Sequence, residues 1–144
     1  MTMSQTGGVG TPSFMAPEMF SEAKHALEVS AHGKPGVKKP KEKKKYSSKV
    51  DVYSFGITLA GTLNGELPYA GHREDELNPR NFYTLVEKGM RPKVKNADDV
   101  PSDLITLMQQ CWDFYPENRP SFDDIVDRLQ VILKSLRRPA RRPY

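Results

Sequence analysis

The residues from 47 to 65 constrain the fold more than any other part of the chain. They read Ser-Ser-Lys-Val-Asp-Val-Tyr-Ser-Phe-Gly-Ile-Thr-Leu-Ala-Gly-Thr-Leu-Asn-Gly. Apolar side chains recur there at helical spacing and fill much of the remaining circumference: Val52, Phe55, Leu59 and Leu63, then Tyr53, Ile57 and Ala60. A helix that is apolar on most of its faces is a buried one. The sequence therefore predicts a central helix around which the other elements pack.

Both ends of this helix carry capping signals. Ser48 followed by Asp51 fits the capping-box pattern, in which side chains satisfy the free N–H groups of the first turn. Asn64 and Gly65 mark the end, because glycine readily adopts the left-handed conformation that a helix C-terminus needs. This pattern predicts a helix between these signals and assigns no chemistry to it.

Three more helices and no confident strand are expected. Pro79 and Pro101 each suit a first helical turn, and Ser121 with Asp124 three residues later marks the start of the last helix. That last helix has one apolar face, formed by Phe122, Ile125, Val126, Leu129, Ile132, Leu133 and Leu136. A single short helical turn is expected between Phe14 and Glu22. The predicted fold is mainly α, with four main helices joined by long loops.

The charge of the chain is unevenly distributed. The net charge is +4, but residues 34–49 hold eight Lys and one Glu, and the tail at 137–144 holds four Arg. The remaining ten basic and seventeen acidic residues leave an acidic body, which argues against a nucleic-acid-binding face spread over the fold. Gly, Pro and Lys dominate from about Ala31 to Lys45, a composition that predicts a disordered insertion. The run Lys34–Lys45 suits nuclear import or an acidic partner, although such runs are more often simply solvated.

Other features exclude several classes of protein. Cys111 is the only cysteine, so no disulfide framework or cysteine metal cluster can form within the chain. The three histidines show no ligand spacing, and we expect no metal site. No apolar run approaches membrane-spanning length, and the N-terminus lacks the pattern of a signal peptide. The expected location is intracellular: the cytoplasm, or the nucleus if the Lys-rich run directs import.

Four motifs together resemble a known family. In chain order they are Ala16-Pro17-Glu18, Lys49-Val50-Asp51-Val52-Tyr53-Ser54-Phe55-Gly56, Gly89-Met90-Arg91-Pro92, and Cys111-Trp112 followed by Pro116-Glu117-Asn118-Arg119-Pro120-Ser121-Phe122. Their order resembles the C-terminal helical lobe of a protein kinase domain, and most closely the tyrosine-kinase-like group of Ser/Thr kinases. The resemblance implies a partial kinase domain over residues 1–136, from the end of the activation segment to the last helix, with the N-terminal lobe absent. It also implies an insertion at about 23–46 and a basic tail at 137–144.

The resemblance implies roles for individual residues. Ala16, Pro17 and Glu18 match the motif that ends the activation segment, and Glu18 with Arg119 matches a buried ion pair. Asp51 matches a residue that holds the catalytic loop, although helix capping alone would also explain it. Thr11 and Pro12, in the substrate-facing loop, match a form that favours Ser/Thr substrates.

The catalytic motifs of the family are absent from these 144 residues. Phosphoryl transfer needs a phosphate-covering loop, a nucleotide-binding Lys, metal-binding Asp and Asn, and a catalytic Asp, all of which precede Ala-Pro-Glu in a kinase. We therefore expect no catalytic or metal-binding residue in this chain and no cofactor bound by it, although ATP and Mg are implied for the complete domain. Two interpretations remain open: part of a longer Ser/Thr kinase, or a non-catalytic module that binds a protein substrate or a partner kinase.

Overall fold

The computed structural model describes residues 12–32 and 45–137, and within them the chain forms helices and no strand. The α-helices are α1 (Phe20–His32), α2 (Lys49–Asn64), α3 (Glu74–Leu77), α4 (Pro79–Glu87), α5 (Ser102–Cys111) and α6 (Phe122–Arg137). Short 3-10 turns lie between them at Pro12–Phe14, Pro17–Met19, Ala97–Asp99 and Pro116–Asn118. The mainly α prediction is confirmed. Thr11, most of the Lys-rich run and the tail beyond Arg137 lie outside the described residues.

α2 is the central helix that the sequence predicts. Its buried residues are Val52, Tyr53, Gly56, Ile57, Ala60 and Gly61. The predicted end is confirmed, because Gly65 has a left-handed φ of 63° and its N–H donates into the last turn of the helix. The predicted capping box at the start is wrong. Ser48 already has a helical φ of −57° and its side chain makes no capping bond, whereas the Ser47 hydroxyl accepts from the Lys49 N–H at 3.3 Å.

α2 and α5 approach most closely where Gly56 faces Cys111. A Cβ placed on Gly56 would lie 2.9 Å from the Cβ of Cys111 and 3.2 Å from the carbonyl oxygen of Met108. A contact of 2.9 Å is shorter than van der Waals packing allows, so the crossing depends on a residue without a side chain. The buried residues around this crossing are Ala16, Val52, Tyr53, Ile57, Ala60, Leu107, Met108, Cys111, Trp112 and Ile125.

α1 is longer than the sequence interpretation suggests. One helical turn was expected between residues 14 and 22, with an insertion from about 23, whereas the helix continues to His32. Phe20 and Ala23 are buried against α4, and the rings of Phe20 and Tyr83 lie 4.7 Å apart. Lys24 adds an ion pair of 2.9 Å to Glu87 of α4. Tertiary contacts with α4 therefore stabilise the first half of α1.

α6 begins as predicted but buries less of its apolar face than expected. The Asp124 N–H donates to the Ser121 hydroxyl at 3.2 Å, which confirms the capping signal. Ile125 and Ile132 are buried. The other large apolar side chains at the predicted positions are 41% to 62% exposed, apart from the half-buried Leu129. None of the described helices is both long and apolar enough to cross a bilayer.

Candidate functional site

An ion pair joins the segment before α1 to the segment before α6. Glu18 lies in the turn Pro17–Met19, and Arg119 follows the turn Pro116–Asn118 just before α6. Nη1 of Arg119 is 2.7 Å from Oε1 of Glu18 and Nη2 is 2.9 Å from Oε2, so the guanidinium holds the carboxylate at two points. The Arg119 side chain is 0% exposed and that of Glu18 is 24% exposed. The expected pair is present, with its cation buried and its anion partly accessible to water.

The rest of the Arg119 guanidinium binds backbone carbonyls. Nε donates to Asp113 at 2.8 Å, Nη1 donates to Lys49 at 2.9 Å, and Nη2 donates to Phe114 at 3.3 Å. With the two bonds to Glu18, all five N–H groups of the guanidinium have a partner. The Lys49 ammonium donates in return to the carbonyl oxygen of Arg119. One buried side chain thus connects the N-terminal segment, the start of α2 and the turn after α5.

Tyr53 lies beside two guanidinium groups, a feature that the sequence analysis missed. Its ring centre is 5.0 Å from Cζ of Arg119 and 5.3 Å from Cζ of Arg91, within the range of cation–π attraction. Arg91 also donates to the carbonyl oxygens of Trp112 and Val86, each at 3.0 Å. Burial raises the pKa of the Tyr53 hydroxyl above its usual range, and Arg91 partly opposes that rise. The Gly-Met-Arg-Pro motif pointed to Arg91, but nothing local to Tyr53 indicated that they meet.

The segment before α1 is fixed to α2 by burial and one hydrogen bond. Ala16 is 0% exposed and Pro17 is buried, so the motif residues next to Glu18 form part of the core. The Ser54 hydroxyl on α2 donates to the carbonyl oxygen of Phe14 at 2.7 Å. Pro12 is half-buried at the start of the first 3-10 turn. The segment that precedes the motif is therefore held against α2 from Pro12 onward.

Two of the other predicted site residues have no described partner. Asp51 lies in the first turn of α2 with its side chain exposed, and its carboxylate accepts no hydrogen bond from the residues that the structure describes, although its backbone N–H donates to Ser48. Its predicted role as part of a capping box is not met, because the Ser48 side chain does not cap the helix. Thr11 is outside the described residues, so its substrate-positioning role stays a prediction.

The described residues contain no cluster of metal-ligating side chains, and they line surface grooves. Among residues 12–32 and 45–137, no group of three or more His, Cys, Asp or Glu is placed to hold a metal ion. A groove between α5 and α6 is lined by Asp103, Thr106, Asp127, Arg128, Val131 and Ile132. Another groove, beside α3 and α4, is lined by Arg73, Asp75, Glu76, Asn81, Thr84, Leu85 and Lys88. Neither contains a glycine whose backbone could cradle phosphates.

The Cys111 thiol is expected to be unreactive in the folded protein. Burial raises its pKa to about 11, and the thiolate is the nucleophilic form. A free thiol has a pKa near 8.5, so at pH 8 the folded chain should react with iodoacetamide roughly a hundredfold more slowly than the urea-unfolded chain. The unfolded chain is the control. Equal alkylation rates, with folding verified by circular dichroism, would show that Cys111 is accessible.

Comparison with known proteins points to one family. A family model described as protein tyrosine and serine/threonine kinase matches residues 37–129. The dual specificity protein kinase shkD of Dictyostelium discoideum is 39% identical over 124 residues, which are 86% of this chain and 13% of that protein. The serine/threonine-protein kinase VIK of Arabidopsis thaliana is 35% identical over 131 residues, 91% of this chain and 24% of that protein.

A third similar protein carries a different name within the same family. The tyrosine-protein kinase Fer of Mus musculus is 39% identical over 93 residues, 64% of this chain and 10% of that protein. The chain thus spans a quarter or less of the length of these three relatives. The matched segments are only a small part of each longer protein.

Proposed function

Because this chain belongs to the protein tyrosine and serine/threonine kinase family, we propose that it is the substrate-facing helical part of a Ser/Thr kinase domain. The observation that carries this proposal is the two-point bond between Glu18 and Arg119, with Arg119 1% exposed. These residues are 101 positions apart, and their contact fixes the end of the N-terminal segment against the helical body. A substrate-facing loop needs such an anchor, because catalysis requires that the substrate and the catalytic groups be held at fixed positions relative to each other.

The choice of Ser/Thr over Tyr substrates depends on Thr11 and on Pro12, the first residue of the described segment. Thr11 and Pro12 match the form that Ser/Thr kinases of the tyrosine-kinase-like group carry at the substrate loop. The names of the relatives include serine/threonine, dual specificity and tyrosine kinases, so they do not decide the matter. In this proposal Thr11 and Pro12 position the hydroxyl-bearing peptide. The residues that support them are Ala16, Pro17, Glu18 and Arg119. Asp51 presents its free carboxylate to the catalytic loop of a complete domain.

We propose further that this chain alone neither binds ATP with magnesium nor transfers phosphate. Its sequence contains no glycine-rich phosphate loop next to a strand, and the described residues offer no metal-binding cluster. Saturating ATP and magnesium should therefore leave the melting temperature unchanged. Binding at a hundredfold excess over the dissociation constant would stabilise the fold by about 2.7 kcal/mol, which a thermal scan would detect. A reproducible upward shift, or phosphate incorporation into a generic substrate, would contradict this proposal.

The second candidate function is a non-catalytic module that binds a protein substrate or a partner kinase. It is supported by the hydrogen bonds that hold the segment after Thr11 against α2 and Arg119, while the described residues contain no metal-binding cluster. The coding sequence upstream of Met1 separates the two candidates. In-frame His-Arg-Asp and Asp-Phe-Gly motifs would support part of a longer kinase, whereas a stop codon close upstream would support a separate binding module.

The location and the charged partner are proposals that depend on the sequence. The single cysteine and the kinase family favour an intracellular protein. The Lys34–Lys45 run would bind an acidic partner or direct nuclear import, and the acidic body makes binding of nucleic acid by the fold itself unfavourable. Replacing the lysines of this run by glutamine would abolish nuclear accumulation of a fluorescent fusion if the run is an import signal.

A further inference from the structure

α6 carries an apolar surface that the fold leaves largely uncovered. We call it the α6 seam, and its members are Phe122, Val126, Leu129, Leu133 and Leu136. The intervals between them are four, three, four and three residues, which is the spacing of the seam in a two-helix coiled coil. Leu129 is half-buried, and the other four side chains are 41%, 50%, 46% and 62% exposed in chain order. This spacing is typical of a helix face that packs against a second helix.

No other part of this chain has a sequence suited to cover the seam. Residues 1–11 offer two methionines and a valine, residues 33–44 offer one valine among lysines, and residues 138–144 offer one tyrosine. A helix that packs into a seam of this spacing needs large apolar residues at every third or fourth position. The described helices already occupy other positions in the fold and leave the seam exposed. These 144 residues offer no further segment with that spacing, whereas the α6 of a second copy has it.

The charges on α6 favour one arrangement of two such helices. Asp123, Asp124 and Asp127 lie with one cation, Arg128, in its N-terminal half, whereas Lys134 and Arg137 lie in its C-terminal half. A parallel pair would place like charges side by side. An antiparallel pair centred on Leu129 would place Phe122 opposite Leu136 of the second copy, since both are seven residues from the centre. In the same register, exposed Asp123 would lie beside Arg137 of the second copy, at flanking positions where opposite charges select a partner.

We propose that two copies of this chain associate through antiparallel α6 seams. The seam is about 21 Å long at 1.5 Å per residue, shorter than the contact in a permanent dimer, so the complex dissociates on dilution. Ile125 and Ile132 remain in the core of each copy and do not take part. This inference goes beyond the kinase proposal, because it is argued from the exposed face and charges of α6.

The first test is sedimentation equilibrium of the full chain between about 1 µM and about 1 mM, the range in which weak complexes dissociate. Wild type should pass from monomer to dimer with increasing concentration. Leu133→Glu places a charge in the seam and should weaken association at least tenfold. Val131→Glu adds the same charge to α6 at a site that is 65% exposed and outside the seam, and it should leave association within about twofold. Circular dichroism should show equal helix content in both variants.

The second test exchanges the flanking charges. Asp123→Arg alone and Arg137→Asp alone should each weaken association severalfold. Each change replaces both Asp–Arg pairs of the symmetric dimer by pairs of like charge, which repel. An equimolar mixture of these two variants should associate about as well as wild type, since every pair then joins Arg to Asp. Helix destabilisation by either change would persist in the mixture, so recovery reports pairing alone.

Three results would overturn the proposal. They are a wild-type chain that is monomeric throughout the concentration range, a dimer weakened equally by Val131→Glu and Leu133→Glu, and a mixture of charge variants that does not recover. A purely monomeric chain would leave the seam to a helix from a longer polypeptide or from a different protein.

Discussion

Arg119→Met is expected to destabilise the fold by about 3–5 kcal/mol, because three backbone carbonyls lose their donor, each at a cost of about 1–3 kcal/mol if it stays unpaired. The change removes five hydrogen bonds at once and leaves the Glu18 carboxylate and three backbone carbonyls without their donor. Since a domain of this size is stable by about 5–15 kcal/mol, the variant should unfold at much lower urea concentration. Urea denaturation followed by circular dichroism measures the loss.

A double-mutant cycle measures how much of this loss of stability comes from the interaction between Glu18 and Arg119. Glu18→Gln should be similarly severe, because it leaves the buried Arg119 cation without its anion, although the amide oxygen and three backbone carbonyls can still accept its hydrogen bonds. The double variant should cost clearly less than the sum of the two, because without Arg119 the partly exposed Glu18 side chain can be solvated. Small and additive losses would show that the two side chains do not interact.

The ion pair between Lys24 and Glu87 provides a matched control for this cycle. It also joins distant segments, with Nζ 2.9 Å from the carboxylate, but its side chains are 38% and 39% exposed. Lys24→Met and Glu87→Gln should each cost only about 0.2–1 kcal/mol, as exposed pairs do. Equal losses of stability at the two ion pairs would mean that the burial of Arg119 adds little to the strength of its pair with Glu18.

Gly56→Val is expected to destabilise the fold by about 3 kcal/mol or more, and Gly56→Ala by about 1–3 kcal/mol. The new Cβ would lie 2.9 Å from the Cβ of Cys111 and 3.3 Å from the backbone nitrogen of Trp112. None of the contacted atoms is the end of a flexible side chain, so α2 and α5 must move apart. Alanine would gain about 1 kcal/mol of helix propensity, which offsets only part of the loss. Thermal unfolding and near-ultraviolet circular dichroism measure both effects.

Gly71→Ala is the control for the helix-crossing prediction. A Cβ at Gly71 has no neighbour within 4 Å and the residue is exposed, so its replacement should change stability by less than about 0.5 kcal/mol. If Gly56→Ala were as stable as wild type or more stable, the close approach of α2 and α5 would be contradicted.

The features that the sequence predicted correctly are mostly local. The end of α2 at Gly65 and the start of α6 at Ser121 are set by side chains within a few residues of the helix terminus. The start of α2 was predicted at the wrong serine because the backbone of Ser48 already has helical angles, whereas a capping residue needs an extended conformation. Local sequence patterns show that a helix starts in this region, but they do not fix the residue at which it starts.

The features that the sequence missed depend on distant contacts. α1 continues to His32, and its first half is stabilised by packing on α4, more than fifty residues away. Tyr53 lies beside Arg91 and Arg119, and no pattern around Tyr53 could reveal either neighbour. The pair of Glu18 and Arg119 was anticipated only because both matched positions of a known family. Periodicity and composition contain no information about which charges meet across 101 residues.

The contacts of Arg119 also affect the order in which the molecule assembles. Its bonds to Asp113 and Phe114 span six and five residues, whereas its bonds to Glu18 span 101. Closing a long loop costs more chain entropy than closing a short one, so the turn after α5 can form well before the N-terminal segment joins it. Interactions completed after the rate-limiting step of folding act mainly on the unfolding rate. The Glu18 contact is therefore expected to slow unfolding more than it speeds folding.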